Sequence, residues 1–276
     1  MEERSSHADS INIVAWNIRV YTNMLGDLRF PIGLRRWLEF LLIAAAALTS
    51  SSGANAQNNA ARQAFTLPLN SMDGLEIKNF AQNDSPPPNG KSEIITYRGR
   101  RAFRMLLDTD GQVLAIVKNS HFQDGTIEVD LAGMPRPGAP EDVRGFIGIS
   151  FRVQDDAKRF ETVYLRMTNG RADDQLRRNH SIQYTSEPDF PWYRLRKENP
   201  GVYESYVDLE AGAWTKLRIV VHGVKALVYV NDTRQPCLII NDLKLGESSG
   251  LIALYATSDT DAYFSNLKIV PTQSTK

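Results

Sequence analysis

Alternation of apolar and polar residues dominates the chain from residue 57 onward, and helical periodicity is nearly absent. Successive side chains of a strand point to opposite faces, so an apolar residue at every second position indicates one buried face. Turn-rich stretches such as SPPPNG (85–90) and GMPRPGAPED (133–142) separate the runs. Many short strands between turns predict an antiparallel β-sandwich or barrel. The predicted strands are 75–80, 92–99, 101–107, 112–118, 125–131, 145–153, 159–167, 180–186, 203–209, 215–221, 225–231, 251–257 and 263–270.

The same alternation assigns faces to individual strands. Val153 falls on the face of Phe151, and Glu161 interrupts the apolar face of its strand. The opposite faces of 145–153 and 159–167 carry small, polar and aromatic residues, which predicts a solvated surface with a ligand groove. The six residues predicted for the core are Ile149, Phe151, Leu165, Leu217, Ile219 and Val228.

The N-terminal region has the layout of a secretory signal peptide. Two arginines precede an apolar run from Trp37 to Leu48, and the sequence Ala-Asn-Ala ends at residue 56. The apolar run is shorter than the roughly 20 residues that span a bilayer. We expect translation to start at Met24, so that 1–23 is an extension outside the translated protein, 24–56 is the signal peptide and 57–276 is a single sandwich domain without a transmembrane segment.

Composition excludes several other classes of protein. The 32 basic and 32 acidic residues cancel, so no excess of basic charge indicates a nucleic-acid partner. The single cysteine, Cys237, excludes an internal disulfide and zinc sites built on paired cysteines, and its apolar neighbours predict a buried, inert thiol. The four histidines show no metal-binding spacing. The cofactor is left open: Asp259 and Asp261 fit a divalent-cation loop, although an ordinary turn explains them more simply.

Five segments carry a resemblance to a known group of proteins: FQDGTIEVDL (122–131), GFIGISFRVQDD (145–156), ETVYLRMTNGR (161–171), GAWTKLRIVVHGVKALVYVND (212–232) and GLIALYATSDTDAYFSNLKIV (250–270). They resemble the concanavalin A-like lectin/glucanase superfamily, and more narrowly its bacterial laminin-G-like and 3-keto-disaccharide hydrolase-like sandwiches. The resemblance covers about residues 65 to 271. It implies an all-β, antiparallel two-sheet jelly-roll sandwich whose concave face binds sugars in relatives. One sandwich fold hosts many functions, so the resemblance implies less about activity.

Glu128 and Asp130 match only the first half of a catalytic motif of that superfamily. Laminarinase-type glucanases carry E-x-D-x-x-E on one strand, with the outer glutamates as nucleophile and acid/base. The positions where the third carboxylate would fall are Ala132 and Gly133. A retaining glycosidase needs two carboxyl groups, so the laminarinase mechanism is excluded. The pair is then either the polar face of a strand or part of another site.

A second candidate site is the long polar stretch 164–198, which is rich in arginine and aromatic residues. Compact sandwiches do not need such a long excursion, and long loops are often functional. Arginines can bind carboxylates or sugar hydroxyls, and aromatic rings can stack on sugars; alternatively, the arginines pair with nearby acidic residues and only fasten the loop. We predict Glu128 and His180 as catalytic candidates. The predicted ligand-binding residues are Asp130, Arg152, Tyr164, Arg166, Asn169, Arg178 and Trp192.

Three functions remain open at this point. The first is an exported sandwich that binds a carbohydrate or glycoside on its concave face. The second is glycoside cleavage of the 3-keto-disaccharide hydrolase type, with His180 or Glu128 as the base and with or without a divalent cation. The third is a structural or adhesive envelope module. A common site also requires the strands of Glu128, Arg152 and Arg166 to be neighbours in one sheet.

Export makes the first testable prediction. Because the arginines, the apolar run and the Ala-Asn-Ala sequence follow the order of a signal peptide, we expect cleavage after Ala56. Mass spectrometry of the mature protein from its native host should show an N-terminus at or near Gln57. A cytoplasmic product that keeps residues 24–56 would contradict this prediction.

Overall fold

Two antiparallel sheets packed face to face form the fold in this computed structural model, which describes residues 64–80, 90–107, 111–257 and 259–272. The prediction of an all-β, two-sheet jelly-roll sandwich is confirmed. The strands are β1 (Phe65–Leu67), β2 (Leu75–Phe80), β3 (Gly90–Tyr97), β4 (Arg100–Leu107), β5 (Gln112–Phe122), β6 (Gly125–Pro135), β7 (Phe146–Val153), β8 (Phe160–Arg166), β9 (Ile182–Glu187), β10 (Glu204–Ser205), β11 (Thr215–His222), β12 (Lys225–Val230), β13 (Leu238–Ile240), β14 (Gly250–Thr257) and β15 (Thr260–Pro271). Two short helices are α1 (Gln175–Asn179) and α2 (Trp192–Glu198).

The order of strands separates the elements that the sequence places next to one another. The first sheet runs β13-β12-β11-β6-β15-β4-β3, with β1 paired to β15. The second sheet runs β10-β9-β8-β7-β14-β5-β2. The chain therefore crosses from the first sheet to the second between β6 and β7. The expectation that β6, β7 and β8 are neighbours in one sheet is wrong, because β6 pairs with β11 and β15 instead.

The core lies between the two sheets and is built by their inward-facing apolar residues. All six residues predicted for it are buried there, which confirms the assigned register of their strands. Phe151 packs edge-on against Phe122 across the core, with ring centroids 6.5 Å apart. Large aromatic side chains contribute much of the apolar area that stabilises such a core.

A β-bulge at Arg152 changes the face assignment at the end of β7. Arg152 has a φ of 53°, and the pairing of β7 with β14 shifts its register at this point. An extra residue in one strand reverses the alternation that follows it. Val153 therefore packs with Tyr164 and Tyr255 on the outer face of the second sheet, and its assignment to the inner face with Phe151 is corrected.

The outer face of the second sheet is buried, whereas the sequence predicts a solvated groove there. Tyr164 is only 3% exposed, and its ring centroid lies 5.5 Å from that of Tyr255 and 5.4 Å from that of Phe146. The reason is that β14 and β5 bring further apolar side chains, such as Leu114, to the same face. The local pattern of β7 and β8 does not contain this information.

Glu161, which interrupts an apolar face, fastens the crossover between the sheets. Its carboxylate accepts hydrogen bonds from the Tyr184 hydroxyl and, at 2.7 Å, from the Leu245 N–H. The Tyr184 hydroxyl in turn accepts the Lys244 N–H at 2.8 Å. These bonds hold the segment that joins β13 of the first sheet to β14 of the second. Burial raises the pKa of Glu161, and its two hydrogen-bond donors offset part of the cost of burying a polar group.

The polar excursion 164–198 and the stretch 203–209 that follows it differ most from the secondary structure predicted from the sequence. The stretch 203–209 forms only the two-residue strand β10, while 175–179 and 192–198 are helical. Apolar residues at alternate positions in 203–209 pack into the core without a full pairing partner. The short strands β1 and β13 were not predicted.

The predicted signal peptide and start codon lie outside the described residues, and no helix within those residues has the length and apolar character that a bilayer crossing needs.

Removing the Phe151 ring tests the position of the core. Because Phe151 is fully buried, Phe151→Ala should lower the free energy of unfolding by about 3 to 5 kcal/mol. Ile239→Ala is the control, since Ile239 is half exposed and should cost far less. Urea unfolding at neutral pH measures both variants. A loss below about 1 kcal/mol for Phe151→Ala would contradict the inward placement.

Candidate functional site

The excursion folds against the β10 edge of the second sheet and encloses a pocket of about 660 Å³. Helix α1 supplies one wall, and the segment from α2 to just beyond β10 supplies the other. The pocket combines carboxylate, guanidinium, imidazole, amide and phenol groups with an apolar side chain. Its lining residues are Leu176, Asn179, His180, Arg196, Pro200, Gly201, Glu204, Ser205 and Tyr206.

Helix α1 places His180 at the mouth of this pocket. The Asp174 carboxylate accepts the Arg177 N–H at 2.6 Å and caps the start of the helix. The chain leaves the helix at His180, whose N–H donates to the Arg177 carbonyl at 3.0 Å. A capped single turn thus sets the direction of the His180 side chain, although α1 itself buries none of its residues.

His180, Glu204 and Arg196 form one charged network in the pocket wall. The Nε2 of His180 lies 3.2 Å from the Glu204 Oε1. Arg196 donates to both carboxylate oxygens, with Nε at 3.0 Å from Oε1 and Nη2 at 2.6 Å from Oε2. Glu204 is buried, so this forked arrangement supplies the partners that a buried carboxylate requires.

The electrostatics of the network favour a neutral imidazole at His180. Burial lowers the pKa of His180, and the charges of Arg196 and Arg166 lower it further, while Glu204 acts in the opposite direction. A neutral imidazole carries one proton, and a proton on Nε2 faces the Glu204 carboxylate and leaves Nδ1 as an acceptor. His180 is one of the residues that line the pocket.

Three of the predicted ligand-binding residues are buried and act on His180 instead. Arg166 and Asn169 both donate to the His180 carbonyl, at 2.9 and 3.2 Å. The Tyr164 hydroxyl accepts from Arg166 at 3.1 Å, and Gln183 accepts from the same guanidinium. These side chains do not line the pocket. Their predicted role as direct ligand contacts is corrected to one of holding the backbone at the site.

Exposed apolar side chains concentrate around the same pocket. Trp192 is 43% exposed and lies under the guanidinium of Arg196, and Tyr206 is 41% exposed and lies under that of Arg178. Arg178 also donates to the Tyr206 hydroxyl at 3.0 Å. Of seven exposed large apolar residues in the described part of the chain, five fall within 176–206. They are Leu176, Trp192, Tyr193, Val202 and Tyr206.

Glu128 and Asp130 lie on the outer face of the first sheet, on the opposite side of the sandwich from His180. Glu128 faces Arg218 across the β6–β11 pair, with its Oε1 3.9 Å from the Arg218 Nε. Asp130 accepts from Arg100 at 2.9 Å and from Asn266 at 2.8 Å. A joint groove of these carboxylates with the excursion is therefore excluded. The alternative interpretation, a strand showing its polar face, describes them.

Arg152 was predicted to bind a ligand, but its side chain is not accessible to one. Its side chain is 0% exposed and donates to the carbonyls of Gln123, Gly223 and Gly246 and to the Asp124 carboxylate. These acceptors belong to turns at one end of the sandwich. Because the Arg152 guanidinium is buried and bonded to these four residues, it stabilises the turns and has no donor that a ligand can reach.

Glu204, Arg196 and Tyr206 are site residues that sequence reasoning missed. Glu204 fell within a stretch predicted to be a regular strand, where a single glutamate is expected on the solvated face. Arg196 was one of several arginines in the excursion, with no local sign that it would pair with Glu204. The concentration of aromatic residues between 190 and 206 was a usable signal for Tyr206.

The candidate cation site at Asp259 and Asp261 gains no support from the geometry of Asp261. Arg104 donates to both oxygens of Asp261, at 2.8 and 2.9 Å, and the Tyr263 hydroxyl adds a third donor. A carboxylate held in this way has given its lone pairs to a guanidinium. Within the described residues, no group of three or more histidine, cysteine, aspartate or glutamate side chains is arranged to hold a metal ion.

Two antiparallel sheets packed face to face define the fold as a β-sandwich. No protein-family model and no curated protein matches the chain. The chain is similar to the carbohydrate binding module CBM66 from Bacillus subtilis, with 18% identity over 66% of this chain and 92% of that chain and a TM-score of 0.46. It is also similar to a protein of unknown function with a galectin-like fold from Bacillus subtilis, with 11% identity over 75% and 96% of the two chains and a TM-score of 0.49.

A third similar structure is the exoplasmic/lumenal domain of VIP36 in a Ca²⁺/Man3GlcNAc-bound form. Its identity is 10% over 78% of this chain and 90% of that chain, with a TM-score of 0.47. Because these TM-scores lie below 0.5, the likeness concerns the sandwich architecture and defines no family. The narrower resemblance to laminin-G-like and 3-keto-disaccharide hydrolase-like domains stays a prediction.

The titration of His180 tests the network directly. We expect its pKa to lie below the ordinary value of about 6.5, because burial and two arginines disfavour the charged imidazole. Glu204→Gln should lower the pKa further, whereas Arg196→Gln should raise it. NMR of the imidazole signals against pH measures all three proteins. A pKa that moves in the same direction in both variants would contradict the network.

The lowered pKa of His180 also makes the free energy of unfolding depend on pH. A histidine with a depressed pKa contributes stability that is present above about pH 6.5 and is lost as the pH falls through the folded-state value. When the pH is lowered from about 6.5 to the folded-state pKa, the urea midpoint of the wild type should therefore fall more than that of His180→Gln.

Proposed function

We propose that this protein is an exported carbohydrate-recognising sandwich that binds a glycan or glycoside in the pocket between α1 and β10. The observation that carries the proposal is a pocket that combines the half-exposed ring of Tyr206 with charged and polar side chains, with the half-exposed Trp192 next to its Arg196. Sugar rings present apolar faces and hydroxyl edges, so they suit a site that offers both. Export rests on the signal-peptide pattern of residues 24–56 and on the test given above.

The polar side of the pocket matches the needs of sugar hydroxyls. Arg196 and His180 already occupy the Glu204 carboxylate, which leaves the Arg196 Nη1 as a donor and the second imidazole nitrogen of His180 for a ligand. Asn179 and Ser205 add groups that both donate and accept. The bonds from Arg166 and Asn169 to the His180 carbonyl fix part of this arrangement before a ligand arrives, which lowers the cost of ordering it on binding.

Burial of the outer face of the second sheet favours the edge pocket over a groove across the sheet. Tyr164 and Arg166 contribute little exposed surface, at 3% and 5%. In contrast, Tyr206 lines the edge pocket and is 41% exposed, and Trp192, beside the lining residue Arg196, is 43% exposed. We therefore place the proposed binding site at the edge of the sheet rather than on its face.

Cleavage of a 3-keto-glycoside is a second candidate, favoured by the His180–Glu204 contact. A carboxylate that holds a neutral histidine in one tautomer leaves the second nitrogen free to accept a proton. In such a reaction Nδ1 would take the acidified proton beside the keto group, and Arg196 would stabilise the resulting enolate. The enolate would then expel the glycosidic oxygen as the C–O bond breaks, and the leaving oxygen would take a proton from water. Product analysis with 3-keto-glucosides, for the wild type and His180→Gln, separates this activity from binding alone.

Thermal melting with a panel of mono- and oligosaccharides tests the binding proposal, since a ligand raises the melting temperature only when it binds the native state. Tyr206→Ala and Trp192→Ala should each weaken the bound sugar about ten-fold, because stacking on an aromatic ring contributes roughly 1 kcal/mol or more. Isothermal titration calorimetry measures the change. Tyr229→Ala is the matched control, because Tyr229 lies on β12 in the first sheet.

The outcomes separate the three functions. A sugar that binds with unchanged affinity to Tyr206→Ala and Trp192→Ala would place the site elsewhere on the sandwich. A panel without any ligand would favour the structural or adhesive module.

A further inference from the structure

Four arginines near the pocket have no acidic partner among the described residues. They are Arg144, Arg166, Arg177 and Arg178. Other arginines of the same excursion are paired: Arg171 with Asp208, and Arg196 with Glu204. Buried and half-buried charges are normally paired, so a group of unpaired ones is unusual.

The backbone brings these arginines together from three elements. The Thr168 N–H donates to the Arg144 carbonyl at 3.2 Å, which joins the β6–β7 segment to the end of β8. Arg166 reaches across to the His180 carbonyl, and the His180 N–H closes the turn on Arg177. The charges act on each other, since burial and then Arg177 and Arg166 lower the pKa of Arg144.

Arg177 is the least satisfied member of the group. Its guanidinium makes no hydrogen bond, ion pair or ring contact with any described residue, and its Nε is buried without a partner. Arg178 also has a buried Nε without a partner, and Arg144 donates only to the Glu141 carbonyl. The Nη1 and Nη2 atoms of Arg177 also have no partner and, unlike its Nε, are not buried, so they are donors that a ligand can reach.

Unpartnered polar atoms cluster at this same place. Six buried side-chain atoms in the described residues have no hydrogen-bond partner, and four of them lie within 168–178. They are the Thr168 Oγ1, the Asn169 Oδ1, the Arg177 Nε and the Arg178 Nε. Asp142 and Asp174 are also nearby, but neither forms an ion pair with these arginines, and the Asp174 carboxylate is engaged at the start of α1.

Arg166 is engaged with His180, Tyr164 and Gln183. We propose that the other three arginines, Arg144, Arg177 and Arg178, bind an oxyanion carried by the ligand, so that the site recognises an acidic glycan. Guanidinium groups match the geometry of carboxylates and sulfate esters, and they bind them through paired hydrogen bonds. Arg178 connects the two regions, because its guanidinium lies over the ring of Tyr206 in the pocket. The inference rests on the proposed function and names the class of sugar.

A glycan array with matched sets of neutral, uronate-containing and sulfated oligosaccharides tests this inference on the full chain. We expect the bound sugars to be acidic, and the two acidic sets separate carboxylate from sulfate ester as the anion. Arg177→Gln and Arg144→Gln should each weaken binding about ten-fold, because each removes a charge-assisted hydrogen bond. Raising the ionic strength should weaken it as well.

Arg159→Gln is the matched control, because Arg159 is an exposed, ion-paired arginine at the opposite end of β8. It should leave acidic glycan binding unchanged, and thermal melting should show all three variants folded. Binding that is confined to neutral sugars, or acidic binding that survives both Arg177→Gln and Arg144→Gln, would overturn the inference and leave the proposed function standing.

Two further outcomes complete the test. An array on which no sugar binds would overturn the inference and the proposed function together. A single-stranded oligonucleotide with the same number of charges serves as a further probe. If it binds as tightly as the acidic glycan, the site prefers polyanions in general, and the inference that it recognises an acidic sugar is overturned.

Discussion

The backbone carbonyl of His180 accepts two side-chain hydrogen bonds, from Arg166 and Asn169, and the candidate site depends on them. Arg166 belongs to β8, so the bonds attach the excursion to the second sheet. They fix the point at which α1 ends and the His180 side chain turns toward Glu204. Without this attachment, neither the pocket wall nor the orientation of the imidazole would be defined by the sheet. Residues that do not touch a ligand therefore decide where the ligand-binding groups lie.

Glu204 is the second centre of the arrangement, because it joins the two walls of the pocket. It contacts His180 from the side of α1 and Arg196 from the side of α2. A buried carboxylate with two such partners is costly to disturb, since the loss of either leaves an uncompensated charge. Burial lowers the pKa of His180, while within the network Glu204 raises it and Arg196 lowers it.

The distribution of arginines divides this end of the molecule into two functional parts. Paired arginines such as Arg171 and Arg196 fasten the excursion, as the simpler interpretation of the sequence expected. Arg177 and its neighbours lack acidic partners and keep their positive charge available to a ligand. Sequence composition could not separate the two groups, because pairing depends on which carboxylates the fold brings within about 4 Å. This separation is the basis for proposing an acidic glycan.

The sequence by itself determined that the chain folds into antiparallel strands and which residues of β7 up to Phe151, β8, β11 and β12 face inward, because strand alternation and turn residues are local signals. Only the tertiary structure decided which strands are neighbours. Local periodicity carries no information on sheet membership, so Glu128 was grouped with His180 although the two lie on opposite sides of the sandwich. The contact between His180 and Glu204 spans 24 residues of chain and exists only because α1, α2 and β10 fold back on one edge of the second sheet.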